Sequence, residues 1–389
     1  MQHDDPAMLF LVASSILFVA VACTAVEAQT GACPGDCDGN GRVDSVEFAR
    51  SVRALFDPEL ACNSDATAKL TAAHVTSTIV YAALERPLCA AGRRSRWDAL
   101  PPLAGGPRQE VGVAALDGVV YVIGGITGRA VGVATVEAYD VSRGEWHAVA
   151  PLPRPLHHVA AAADANFVYT AGGYAGAAFS PVSDVFRYDP QNDAWESLPA
   201  LPTRIGAAAA AVRGRKLHVV GGGRGLASTS DHLILDLDSL EWKVAAPLPE
   251  AVNHLAAVVW NERLYVVGGR RDPFGLNNST GLYRYEADSD RWQALAPMPT
   301  ARSGHAAAVS GSLLAVFGGE VDPSRFPSFV YPHVEVYDFE RDIWYSDAPM
   351  PLARHGFGAA TVDGAIYLPG VASRAGFGET AWHDRWVVR

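Results

Sequence analysis

Cysteine is missing from most of this chain: after Cys89 there is none, so residues 97–389 cannot hold a copper centre built on a cysteine–tyrosine crosslink. Positive charge is also short, with 31 lysine and arginine residues against 42 aspartate and glutamate residues, a net charge of −11. Nucleic-acid binding needs a concentrated basic face. The one basic cluster, Arg93, Arg94 and Arg96 in a short linker at 91–96, reads as solvated charge, so no nucleic-acid partner is expected. No Cys-x-x-Cys pair occurs, which argues against a zinc ribbon.

What the chain has in quantity is repetition. The stretch Leu264-Tyr265-Val266-Val267-Gly268-Gly269 ends in a glycine pair that returns at Gly124-Gly125, Gly172-Gly173, Gly221-Gly222 and Gly318-Gly319, with a weakened copy at Gly370-Val371. A dipeptide ending in an acid stands six residues before a tryptophan in five units: Tyr139-Asp140, Tyr188-Asp189, Leu235-Asp236, Tyr285-Glu286 and Tyr337-Asp338. From Trp97 through Trp146, Trp195, Trp242, Trp292 and Trp344 the gaps are 49, 49, 47, 50 and 52 residues. Runs of β-branched and aromatic residues bounded by glycine read as short buried strands, about four per unit. Prolines such as Pro151, Pro153, Pro297 and Pro299 cannot donate to a ladder and so end the outer strand. A period near 50 residues resembles the kelch family. The resemblance implies an all-β, six-bladed propeller over residues 97–389. Trp97 arrives before any glycine pair and the last unit ends without an outer strand, so the N-terminal strand is expected to complete the sixth blade.

Ahead of the propeller, residues Ala7 to Val26 form an apolar run without charge, followed by Val26-Glu27-Ala28, which fits a signal peptide over residues 1–28 and export to a secreted, periplasmic or cell-surface location. An uncleaved anchor and lipidation at Cys23 remain open. Residues 29–90 contain Cys33, Cys37, Cys62 and Cys89, an even set consistent with two disulfides in any of three pairings. Within them, Asp36-Cys-Asp-Gly-Asn-Gly-Arg-Val-Asp-Ser-Val-Glu47 matches the EF-hand calcium loop. Asp36, Asp38 and Asn40 offer side-chain oxygens, Arg42 its carbonyl, Asp44 a contact through water and Glu47 a bidentate carboxylate, with Ca2+ as the expected cofactor. A second, decayed loop begins at Asn63. The pair resembles dockerin-like modules, which implies a small α-helical segment and a cohesin-type partner, beside the plainer reading of a calcium-stapled cap or spacer.

On the propeller, the loops entering the innermost strand carry Arg108, Arg154, Arg204, Arg302 and Arg354, and His158, His254 and His305 start the inner strand in three units. The loops between strands two and three carry Arg129, Tyr174, Arg224, Arg270, Arg271, Phe274, Glu320, Arg325, Phe326 and Tyr331. Ligands of kelch propellers bind on this face by family resemblance. An arginine and aromatic rim suits anionic or sugar ligands, because guanidinium forks match carboxylates and aromatic faces stack on sugar rings. The competing reading is that arginine and histidine here follow the repeat itself and hold neighbouring blades together. It also explains the alignment of His158, His254 and His305 without a metal. Galactose-oxidase-like chemistry is excluded by the missing cysteine. The sequence therefore predicts an exported, monomeric, calcium-binding kelch propeller that binds protein or carbohydrate, with sugar mutarotation, as in similar sialic-acid mutarotases, as the alternative. A convergent acid–base pocket would favour the enzyme; scattered rim charges would favour a scaffold.

Overall fold

The computed structural model describes residues 95–388, apart from 129, 178, 273–276 and 321–329. The chain divides into two units, Met1–Gly92 and Arg93–Arg389, and only the second falls among the described residues. The calcium-loop residues Asp36 to Glu47, the four cysteines, the expected signal peptide, and Arg129, Phe274, Arg325 and Phe326 all lie outside them.

Six antiparallel four-stranded sheets form the body of the second unit, three two-stranded ribbons lie between the second and third strands of blades one to three, and no helix occurs among the described residues. In blade one the order from the axis outward is Gly112–Leu116, Val119–Ile123, Val136–Asp140 and Glu145–Val149. Blades two to five repeat this order, with inner strands at Ala160–Ala163, Ala209–Arg213, Ala256–Trp260 and Ala306–Ser310. Six strands converging on one axis leave little room for side chains, which is why these segments are runs of alanine and valine. The sixth blade takes its outer strand, Ser95–Ala99, from the N-terminal end of the unit, paired with Glu379–Val388 so that Trp97 faces Trp386. In its second strand, Ala365–Ala372, the register shifts between Pro369 and Val371. That is where proline and valine replace the usual residue and second glycine.

Two contacts repeat between blades. The tryptophans that mark the period donate their indole N–H to a backbone carbonyl of the preceding blade: Trp146 to Pro101 (2.9 Å), Trp195 to Ala150 (2.8 Å), Trp242 to Pro199 (2.9 Å), Trp292 to Ala246 (2.9 Å), Trp344 to Ala296 (2.8 Å) and Trp97 to Ala348 (3.4 Å). The tryptophan period in the sequence is therefore a period of inter-blade hydrogen bonds, and in four units the ring lies tilted against the tyrosine of the same unit, as for Tyr188 and Trp195 at 5.1 Å. The glycine pair is the second contact. Gly172 has φ 62° and Gly173 φ 108°; the Gly173 amide donates to the Ile205 carbonyl of the next blade at 2.9 Å. A Cβ on Gly172 would stand 2.2 Å from that oxygen, so no larger residue allows the blades to approach this closely.

Blade three buries two histidines between itself and blade four. His218 Nδ1 and His232 Nε2 are 2.9 Å apart, one donating to the other, and His232 lies edge-on to Tyr285 at 4.5 Å. Burial lowers both, His218 from 6.5 to about 3 and His232 to about 4. The folded imidazoles thus stay neutral where unfolded ones bind protons. Their contribution is complete above pH 6.5 and is lost as pH falls toward 4, at up to about 1.4 kcal/mol per pH unit for each histidine. Urea midpoints measured at pH 7 and pH 5 should fall in the native chain and fall markedly less in a His218→Gln/His232→Gln variant; equal slopes would remove the pair as the source.

Candidate functional site

The residue fourteen places ahead of the first glycine of the pair is Glu110, His158, Ala207, His254, Gly304 and Gly356 in blades one to six. All six adopt left-handed backbone, with φ of 54°, 52°, 52°, 53°, 61° and 62°. Their peptide groups close a circle about the axis. His158 N–H donates to Glu110 O (2.8 Å), Ala207 to His158 (3.1 Å), His254 to Ala207 (2.9 Å), Gly304 to His254 (3.0 Å), Gly356 to Gly304 (2.8 Å) and Glu110 to Gly356 (2.6 Å). Left-handed φ in a residue with a side chain costs on the order of 1 kcal/mol or more; here the closed ring of hydrogen bonds enforces it, for alanine as for histidine.

The row one residue earlier, Gln109, His157, Gly206, Asn253, Ser303 and His355, bridges to the residue after the glycine pair of its own blade: Ile126, Tyr174, Gly223, Arg270, Glu320 and Ala372. These rows frame the axial mouth. Five of the six blades send polar side chains into it. Arg270 donates to Glu320, to Asn253 Oδ1 at 3.2 Å and toward His254 Nε2 at 3.3 Å. Glu110 Oε2 is 3.3 Å from His158 Nε2, and the His158 and His254 rings are 5.0 Å apart. His355 Nδ1 stands 3.7 Å from Glu110 Oε1 and 3.6 Å from Glu320 Oε1. Small residues make the room: a Cβ on Gly356 would meet the Glu110 carboxylate at 2.5 Å. Against the ring lies a cavity of about 110 Å³, lined by the six ring residues and by the residues that follow them, His305 and Phe357 among these.

Burial sets the protonation of the cluster. It pushes the Glu110 carboxyl up to about 7 and the Tyr174 hydroxyl up to about 12, and it holds the imidazoles of His158 and His254 well below their usual range. The site therefore pairs a carboxyl that is protonated in part near neutrality with two neutral imidazoles, a donor set fit for proton transfer or for binding a cation. The ligand atoms of Glu110, His158 and His254 lie within 4.8 Å of one another.

Of the residues expected here from sequence, His158, His254, Arg270 and Glu320 come together at the mouth. His305 stands apart from these contacts: one residue past the ring position held by Gly304, it lines the cavity, and its ring packs under Gly268, whose Cβ would meet Cε1 at 2.5 Å. Burial lowers His305 to about 3. The expected arginine face divides as well. Arg302 and Arg354 are wholly buried, as is Arg108 at 1%. Arg108 pairs with Glu137 (2.5 Å), Arg302 with Glu335 (2.8 Å) and Arg354 with Asp384 through two contacts (2.5 and 3.1 Å). These three arginines lock the entering loop to the third strand of their own blade and are not open to a ligand. Arg154 lies two residues before that register and pairs with Asp184 on the surface at 3.4 Å; Arg204 lies one residue before it, exposed. Glu110, His355 and Asn253 were not anticipated. The fixed distance of fourteen residues to the glycine pair would have found Glu110 and set His305 aside.

A family model described as the Attractin/LZTR1 beta-propeller matches residues 120–372. No curated protein matches the sequence. Among solved structures, the one described as YjhT is similar over 73% of this chain and 95% of its own, at 16% identity and a TM-score of 0.62, a likeness of fold.

Blades two to four fill the places of the buried pairs with apolar residues; Leu156 and Phe186 of blade two share one hydrophobic cluster. Arg302→Leu alone removes the cation that faces the buried Glu335 carboxylate, which keeps its contacts to Thr300, and should cost about 3–5 kcal/mol, whereas Arg302→Leu with Glu335→Phe should recover most of that loss. Chemical denaturation of the single and double variants measures both, and a double variant as unstable as the single one would contradict this account.

Proposed function

The chain belongs to the Attractin/LZTR1 β-propeller family, and since a fold does not dictate a function, we propose its function from the axial cluster: a carbohydrate-recognition module whose ligand docks over the mouth. The observation that carries this reading is the convergence of Glu110, His158, His254, Arg270, Glu320 and His355, from five blades, on one small space. Arg270 and Glu320 present a donor fork beside an acceptor pair, the complement of a sugar carboxylate or of neighbouring hydroxyls. Phe179, backed by the buried Tyr174 ring at 5.8 Å, gives the flank an apolar face for a sugar ring.

A second reading is favoured by the contact between Glu110 and His158. An acid that protonates the ring oxygen of a sugar while a base takes the proton of the anomeric hydroxyl opens the ring, and reversal on the other face gives the second anomer. The Glu110 carboxyl and a neutral imidazole of His158 or His254 supply that pair. The convergent pocket supports such anomer exchange better than scattered rim charges would. For residues 29–90 we propose an exported, calcium-loaded module, supported by the loop Asp36 to Glu47 and the four cysteines of the sequence.

A thermal-shift panel of neutral and acidic sugars on the full chain should yield a ligand that raises the melting midpoint, with the rise lost in Arg270→Ala; a flat panel would end the carbohydrate reading. For the bound sugar, Glu110→Gln should keep the shift and slow anomer exchange, followed by NMR, by about 10²-fold or more, and an unchanged rate would leave a binding module only. Chelation by EGTA should lower the melting midpoint of the N-terminal unit, and Asp36→Ala should reproduce the fall. If neither moves it, the calcium assignment is lost.

A further inference from the structure

The axial cluster has more lone pairs than protons to share among them. His355 donates Nε2–H to the Arg374 carbonyl at 2.9 Å, which turns Nδ1 toward the axis. That atom, on a side chain only 3% exposed, faces the carboxylates of Glu110 and Glu320 and has no hydrogen-bond partner. A bare nitrogen between two carboxylate oxygens is a place built for a proton or a cation.

The neighbouring histidines are oriented in the same sense. His254 Nδ1 contacts Asn253 Oδ1, so the Nδ1–H tautomer donates there and leaves the Nε2 lone pair toward the axis. His158 Nδ1 meets His157 Nδ1 at 2.6 Å, and donation to that ring leaves His158 Nε2 facing Glu110 Oε2. A histidine held at one nitrogen by a neighbouring acceptor, with a lone pair on its other nitrogen, is the arrangement that fixes ring orientation in metal centres. The separation of 3.3 Å between His158 Nε2 and Glu110 Oε2 is also the edge expected of a tetrahedron with bonds of about 2.0 Å.

We propose that Glu110, His158 and His254 bind one divalent transition-metal ion on the propeller axis, with the fourth position open to solvent. Two imidazoles and one carboxylate suit zinc, cobalt, nickel or ferrous iron and disfavour calcium and magnesium, which prefer all-oxygen shells. The remaining ligand atoms, spread over up to 4.8 Å, close onto the ion by side-chain rotation. Arg270 holds Glu320 and gives up its one contact to His254 Nε2. Once the incoming ion displaces the Glu110 proton, two carboxylates and one guanidinium leave the cluster one negative charge to offset part of the ion. The site does not rest on the sugar reading, because an ion can be held whatever docks above it.

The test uses the full chain, stripped with chelator and kept in excess calcium so that oxygen-rich sites stay filled, then titrated with Co2+. One equivalent should bind with the visible absorption of a four-coordinate imidazole–carboxylate centre. Glu110→Gln and His254→Gln should each remove that equivalent, Asn253→Ala should weaken it 10- to 100-fold by freeing the His254 ring, and His147→Gln, on an outer strand, should leave it intact. Binding and absorption that are the same in the Glu110 and His254 variants as in the native chain would overturn the proposal. Should those variants not fold, anomalous diffraction at the zinc edge from native crystals soaked in Zn2+ decides: a peak within bonding distance of the three side chains upholds the site, and no peak overturns it. Failure of the sugar panel with Co2+ binding intact would touch only the carbohydrate reading.

Discussion

A closed circle of six backbone hydrogen bonds, one peptide from each blade, is the constraint from which the rest of the axial architecture follows. It requires left-handed φ at six successive blade starts. In that conformation the side chains of Glu110, His158 and His254 turn into the axial mouth, and the absence of one at Gly304 and Gly356 lets carboxylates and His355 approach. Scaffold and site are thus the same feature. A change that relaxed the ring to ordinary backbone would redirect the three side chains at the same stroke.

The same blade solves one packing problem in two ways. Between the entering loop and the third strand, blades one, five and six place a buried arginine–carboxylate pair, and blades two to four place Leu156, Ile205 or Val252 with Phe186, Leu233 or Tyr283. Apolar packing is cheap to desolvate; an ion pair is not, but its fork geometry ties the loop to one register. The pairs occupy the adjacent blades five, six and one, which include the blade assembled from both ends of the unit and its two neighbours. Directional contacts there resist slippage that interchangeable aliphatic groups would tolerate.

Much of the fold could be read from the sequence because its signals are periodic. The tryptophans fall at the spacing of inter-blade hydrogen bonds, and the glycine pairs fall where a carbonyl of the next blade leaves no room for a Cβ. The unmatched strand at Trp97 pointed to closure with the C-terminal segment. The site was less legible. Arg154, Arg204 and Arg302 look equivalent in the sequence, yet they sit in three registers, because loop length before the blade varies by a residue or two while the distance to the glycines does not. Glu110 escaped notice as the one acid at a position that carries histidine in two other blades and alanine or glycine in three, and His355 because it neighbours the ring residue and enters the cluster only through contacts across blades. Such contacts have no local spacing.

The pairing of Trp97 with Trp386 has a temporal side. In synthesis from the N-terminal end, the outer strand Ser95–Ala99 appears first in the propeller and its partner Glu379–Val388 last. At about 5–20 residues per second, an edge strand stands unpaired for tens of seconds while five complete blades form in between. The nascent propeller is therefore an open arc with two sticky edges, vulnerable to pairing with another copy until Glu379–Val388 emerges. Arg96 and Asp98, side by side on the early strand and joined at 3.0 Å, place charge on the edge that waits, which is how an exposed strand is kept from joining the wrong sheet.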